Sequence, residues 1–145
     1  MADVTEMLEQ DHREAEDLFA MIKETDGAAR AGLVTKLASA LKLHMEVEET
    51  IVYPAIAEQV DGGDNMVAEA KTEHEGARKA LADVEKLSPD EPGFDGALET
   101  LEAGISHHVE EEEEEVFPKF RESVGAEELT ALGEKVTAAK EKAGA

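Results

Sequence analysis

The sequence predicts an all-α protein, an up-down-up-down four-helix bundle with an additional short C-terminal helix. Three observations predict it. Apolar residues recur at helical spacing through four long segments. Ala, Leu, Glu and Lys are abundant while aromatic residues make up only 3% of the chain, a balance that favours helix over strand. Short turn-forming clusters separate the segments, which makes successive helices antiparallel. At 145 residues the chain is long enough for one full core and too short for two. We therefore expect a bundle over residues 1–124 and a helical extension over 125–145.

Helix one is expected from about Asp3 to the stop at Thr25-Asp26-Gly27, with Val4, Leu8, His12, Ala15, Phe19 and Ile22 inward. Helix two runs from about Ala28 to Val60 on the stripe Leu33, Leu37, Leu41, His44, Glu48, Val52. Pro54 lies inside it and should kink it or begin a new turn, because proline removes a backbone donor. Asp61-Gly62-Gly63-Asp64 is a turn, with Asp64 or Asn65 as the expected cap of helix three, which carries Val67, Ala70, His74, Ala77, Leu81 and Val84 on one face up to about Leu87. Ser88-Pro89-Asp90-Glu91-Pro92-Gly93 breaks the chain. Helix four runs from Phe94 through Leu98, Leu101, Ile105, His108, Glu112 and Val116 towards Val124. The fifth, Ala126 to Ala143, has acidic residues in its first turn, lysines in its last, and Leu129, Leu132 and Val136 at helical spacing.

Within these stripes, polar residues stand where a bundle needs leucine. His44 and Glu48 recur as His108 and Glu112, each pair at i and i+4 and therefore on one helix face. Tyr53-Pro54 follows the first pair and Phe117-Pro118 the second, in the same register. His12 and His74 occupy single inward slots. At ~1.5 Å per residue, His12 and His44 each lie roughly 20–24 Å from the turn that joins their helices, and His74 and His108 match across the next turn but one. All four histidines thus reach one level. His12 maps onto His74 with an offset of 62 residues and His44 onto His108 with 64, so the first two helices repeat as the next two. That duplication predicts two metal ions about a pseudo-two-fold axis, each with two imidazoles, and the carboxylates between them.

A lone histidine on an apolar face is usually a satisfied core residue. Four at one height, two of them paired with an inward glutamate, are not explained that way, and a buried carboxylate is costly unless a cation or proton compensates it. Glu110 to Glu115 is an acidic run, which is ordinarily a solvated face. Periodicity turns Glu112 inward and Glu110, Glu111, Glu113 and Glu114 outward. Glu46, Glu49 and His107 likewise fall off the stripes. Imidazole and carboxylate without sulfur suit iron, manganese or zinc, and bridging carboxylates favour a redox pair of iron ions over a closed zinc site. The ferritin-type Glu-x-x-His spacing occurs only at Glu9 to His12.

Composition narrows the partners. A net charge of −22 argues against nucleic acid or an anionic membrane surface, both of which need a basic face. With no cysteine there is neither a disulfide framework nor a thiolate site. Met1-Ala2-Asp3-Val4-Thr5-Glu6 contains no basic segment leading into an apolar run, and no window approaches a membrane span, so a soluble, cytoplasmic protein is expected.

Together, His12 in Gln10-Asp11-His12-Arg13, His44-x-x-x-Glu48 before Tyr53-Pro54, His74 in Glu73-His74-Glu75, and His108-x-x-x-Glu112 before Phe117-Pro118 make the chain resemble the hemerythrin family, in its bacterial HHE cation-binding branch. The resemblance covers about residues 5–121. Myohemerythrin is an up-and-down bundle, so the same fold is implied. Also implied is a non-haem di-iron centre, oxo- or hydroxo-bridged, with His12 and His44 on one iron, His74 and His108 on the other, and Glu48 and Glu112 bridging. Two departures from the oxygen carriers stand out: Arg78 replaces a second histidine four residues after His74, and the last carboxylate is Glu112 at i+4 instead of an aspartate at i+5. Simple oxygen carriage is thereby put in doubt. Tyr53 could supply a phenolate or a hydrogen bond to the site, or pack beside Pro54.

The expected function is reaction of the iron pair with a small oxidant (dioxygen, hydrogen peroxide or nitric oxide), in catalase-like or peroxidase-like protection. The alternatives are an oxygen- or iron-binding sensor or store without turnover, and a metal-stabilised helical interaction module.

Overall fold

The computed structural model of the protein describes residues 3–144, and among them it contains no strand. Helix α1 (Val4–Glu24) is capped by Asp3, whose carboxylate accepts from the Glu6 backbone N–H at 3.0 Å. It packs along α2 (Gly27–Val47). A π-helical turn (Glu48–Val52) carries α2 directly into α3 (Tyr53–Gln59), and α4 (Gly63–Glu85) returns along both. Helix α5 (Phe94–Glu111) runs beside α4, passes through a second π-helical turn (Glu112–Val116) and continues as α6 (Phe117–Ser123). Ion pairs of Arg13 with Glu113 and Lys23 with Glu102 join the fourth rod back to α1 and close the bundle. Helix α7 (Ala126–Lys142) lies against α1, α2 and the first π turn.

Helix α4 begins two residues earlier than an Asp64 cap predicts, and three earlier than an Asn65 cap. Its N-cap is Gly62, at φ +77°, and a Cβ on Gly63 would stand 2.1 Å from the Ile56 carbonyl oxygen. Glycine is what lets α4 turn back this close to α3.

The two π turns are where α-helical spacing misplaces the inward residues. Each precedes a proline, and in each the N–H of the residue before the proline reaches back five residues: Tyr53 to the Glu48 carbonyl and Phe117 to the Glu112 carbonyl. One extra residue per turn lets the helix absorb proline's missing donor without ending. It also rotates the remainder of the rod. Tyr53 and Phe117 sit one turn above Glu48 and Glu112; Val52 is buried as its place in the stripe predicts, whereas Val116 is only partly buried.

The interior has two apolar slabs. One combines Val4, Leu8, Val52, Tyr53, Ile56, Phe117 and Phe120 with Leu129, Leu132 and Val136 of α7. The other holds Phe19, Ile22, Leu37, Leu41, Leu81, Phe94, Leu98 and Leu101. Between them lies a polar layer: apart from Thr5, the buried polar side chains among the described residues are His12, His44, Glu48, His74, His108 and Glu112. No helix among the described residues is long and apolar enough to cross a membrane.

Candidate metal centre

The four histidines and two glutamates come together in that layer, one histidine from each rod. His44 and His108 end α2 and α5; Glu48 and Glu112 open the π turns that follow them. Ring Nε2 atoms point to the bundle axis. Glu48 Oε1 lies 3.3 Å from His44 Nε2, 3.0 Å from His74 Nε2 and 3.8 Å from His108 Nε2. Glu112 lies 3.2 Å from His12 Nε2 and 3.3 Å from His108 Nε2. Two sets of donors have geometry that could hold an ion: His12, His44, Glu48 and Glu112, and Glu48, His74 and His108. Glu48 belongs to both.

Each imidazole is aimed by a carboxylate on its outer nitrogen. Asp11 holds His44 Nδ1 at 2.8 Å, Glu49 holds His74 at 2.6 Å, Glu73 holds His108 at 2.7 Å and Glu113 holds His12 at 2.6 Å. The four pairs form a ring: every rod carries a histidine inward and gives the carboxylate that orients its neighbour's. A carboxylate accepting from Nδ1–H leaves the Nε2 lone pair facing inward, the tautomer a metal ligand requires.

Glu49 and Glu113 thus depart from the expected outward, solvated positions, at 24% and 25% exposure. α-Helical spacing sends the residue after an inward glutamate to solvent; the wider π turn swings it against the adjacent helix. Sequence reasoning missed all four orienting carboxylates, yet a signal was present. Each is the immediate neighbour of an inward residue, and Asp11 and Glu73 repeat at the offset of 62, Glu49 and Glu113 at that of 64.

Tyr53 and Arg78 part company. The Tyr53 hydroxyl is buried in the centre, 2.7 Å from Glu112 Oε2, 3.1 Å from Glu48 Oε1 and 3.2 Å from Nε2 of both His74 and His108. Its counterpart in the repeat, Phe117, stacks near His12 at 6.1 Å between ring centroids and brings no hydroxyl. The two halves are therefore not equivalent. Arg78 lies outside the cluster at 42% exposure, its guanidinium forked on Glu49 at 2.9 and 3.0 Å. It touches the carboxylate that orients His74 and no inward donor. His107 is exposed and meets Glu73 and Glu111.

The electrostatics are those of a site built around positive charge. Burial pulls the His44 imidazole down, but the Glu48 charge and the Asp11 hydrogen bond overcome it and raise His44 to about 10. His108, opposed by burial and favoured by the hydrogen bonds it donates to Glu112 and Glu48, rises to about 12. Burial also acts to raise Glu48, yet His44 and hydrogen bonds from three imidazoles hold it well below the usual carboxylate range. Burial, then the charges of Glu48 and Glu112, push the Tyr53 phenol far above its ordinary value, so its proton stays. Among the described residues, four buried side-chain atoms have no hydrogen-bond partner: Nε2 of His12 and His44, Glu48 Oε2 and Glu112 Oε1. Buried polar atoms without a hydrogen-bond partner are expensive, and imidazole with carboxylate is a ligand set for a transition-metal ion.

On the side away from Tyr53, a cavity of about 30 Å³ reaches the imidazoles of His12, His44, His74 and His108. Its other walls are mostly apolar, from Ala15, Leu41, Met45, Ala77, Ile105 and Val109.

Comparison with known proteins agrees with this architecture. The chain is similar to a crystal structure of a hemerythrin HHE cation-binding domain-containing protein from Mycobacterium kansasii, at 26% identity and a TM-score of 0.87, over 98% of this chain and 87% of that one. It is 23% identical over 140 residues to a DNA nickase of Nostoc sp., covering 96% of this chain and 39% of the nickase. It is 24% identical over 132 residues to an uncharacterized hemerythrin-like protein of Schizosaccharomyces pombe, covering 88% of this chain and 64% of that one. The chain thus spans between two-fifths and two-thirds of the length of these two relatives. The hemerythrin HHE cation-binding domain matches residues 3–120, which contain all six inward donors, and the chain belongs to that family.

Proposed function

We propose that this chain is a non-haem di-iron protein that reacts with a small oxidant, with peroxide decomposition as its protective activity. The observation that carries the reading is the convergence of four Nε2 atoms and two buried carboxylates, with four of those donor atoms unpartnered. His12 and His44 would hold one iron, His74 and His108 the other, and Glu48 and Glu112 would bridge. A bound iron pair supplies the one- and two-electron chemistry by which dioxygen, peroxide or nitric oxide is reduced or oxidised.

The chain's own residues set the terms of that chemistry. Asp11, Glu49, Glu73 and Glu113 keep the imidazoles oriented. Tyr53 keeps its proton and donates hydrogen bonds towards both glutamates, which holds their carboxylates in place at the centre of the cluster. The cavity has room for roughly two water-sized molecules, which suits a diatomic or hydrogen peroxide and refuses a bulky organic substrate. Its apolar walls limit bulk water.

Purified protein is expected to carry about two irons per chain and to speed peroxide loss above free-iron controls, with His44→Ala losing both. Iron without peroxide consumption, but with a reversible spectral change on oxygen removal, would replace the enzyme by a sensor or store. Zinc or no metal after iron-replete expression would leave an interaction module.

A further inference from the structure

Three of the four orienting carboxylates are themselves held by a cationic side chain. Arg13 binds Glu113 at 2.5 Å and Arg78 binds Glu49 at 2.9 Å; both arginines belong to the bundle rods. The third cation comes from elsewhere. Lys140 Nζ, in the last turns of α7, lies 2.5 Å from Asp11 Oδ1, while Asp11 Oδ2 accepts from His44 Nδ1 at 2.8 Å. Asp11 and Lys140 are 16% and 23% exposed, so the pair is largely withdrawn from water. The fourth carboxylate, Glu73, faces His107 instead.

The placement of Lys140 follows from how α7 packs. Leu129, Leu132 and Val136 seat the helix in the slab that contains Val4, Leu8 and Val47. Lys140, four residues after Val136, continues that face one turn further and meets α1 at Asp11. Lysines in a last turn also complement the helix dipole, but that role asks for no particular partner. Here the ammonium fixes one oxygen of Asp11, which leaves the other directed at the imidazole. Without that anchor, an aspartate at the rim can turn to water, and the His44 ring loses the acceptor that sets its tautomer.

We propose that Lys140 is a positioning residue of the metal centre, acting through Asp11 on His44, so that a helix outside the matched family domain completes one corner of the site. This rests on the di-metal reading above. The test is Co²⁺ titration, under anaerobic conditions, of the full-length chain after chelation, following the visible d–d bands ion by ion. Wild type is expected to take two ions. Lys140→Met should also take two, one of them bound about 10-fold more weakly, the order of loss seen when a ligand's outer partner is removed. Asp11→Asn should lose as much, the double variant no more than Asp11→Asn alone, and Lys140→Arg should recover affinity to within about twofold. Urea midpoints of the chelated variants separate this from a general loosening of the fold. If Lys140→Met binds both ions as wild type does, or if the two losses add in the double variant, the role of Lys140 is refuted while the di-metal reading stands. Uptake of fewer than two ions by wild type would overturn both.

Discussion

Replacing Tyr53 by phenylalanine isolates the one hydroxyl at the centre of the cluster. The ring is 1% exposed, and Phe117 already fills the matching slot of the other half, so the exchange keeps the ring and removes only the hydroxyl. What it removes is an O–H at 2.7 Å from Glu112 and 3.1 Å from Glu48, both carboxylates buried. A hydrogen bond to a charged group contributes about 1.5–3 kcal/mol, and one donated proton cannot serve both acceptors fully, so the expected loss is about 2 kcal/mol. With a urea dependence of roughly 2 kcal/mol per molar, the unfolding midpoint of the chelated protein should fall by about 1 M, measured by far-ultraviolet circular dichroism. A change below about 0.5 kcal/mol would refute the argument, because it would mean the hydroxyl is not a member of the network. Iron-loaded protein adds a second readout. A visible absorption band present in wild type and absent in Tyr53→Phe would assign the phenolate as a ligand; no such band leaves it a hydrogen-bond donor.

Three further outcomes are expected. His44 and His108 sit at about 10 and about 12 in the fold, above their unfolded value of 6.5, so their stabilisation is complete below about pH 6.5 and is lost as pH rises through the folded values. Glu48, lowered, acts in the opposite sense, stabilising above its ordinary 4.5 and losing that contribution as pH falls. Chelated protein should therefore show a lower urea midpoint at pH 9 than at pH 6, and equal midpoints would count against the buried ion pairs. Arg78→His should leave the optical spectrum of iron-loaded protein where it is, because the guanidinium meets Glu49 and no inward donor; a shift towards an oxygen-carrier spectrum would show that position 78 can reach the metal. A duplex oligonucleotide should not be retarded on a gel at physiological salt, since a chain of net charge −22 presents no excess of cations to phosphate; a retarded complex would align the chain with the Nostoc nickase instead.

Much of this architecture is legible in the spacing of residues. The stripe Val4, Leu8, His12, Ala15, Phe19, Ile22 is buried throughout, and so are Val67, Ala70, His74, Leu81 and Val84. The six inward polar residues are detectable because a bundle core tolerates polar groups only at high cost, so each one interrupting an apolar stripe is conspicuous. The orienting carboxylates lacked that contrast. Asp11, Glu49, Glu73 and Glu113 lie at the edges of the stripes, where acidic residues are common in a chain with 36 of them, and only the partner helix distinguishes these four from the solvated rest.

Helical period and an internal duplication are properties of one chain read along its length, and they determined the bundle, its antiparallel order and the level at which the histidines meet. Whether a side chain faces the axis after a proline, and which carboxylate reaches which imidazole, depends on the local winding and on the neighbouring rod. Two π turns moved Tyr53 to the centre and brought Glu49 and Glu113 onto their histidines, and the docking of α7 placed Lys140 beside Asp11. Those contacts join residues up to 129 positions apart. Local periodicity holds no term for such separations, and only the folded packing decides them.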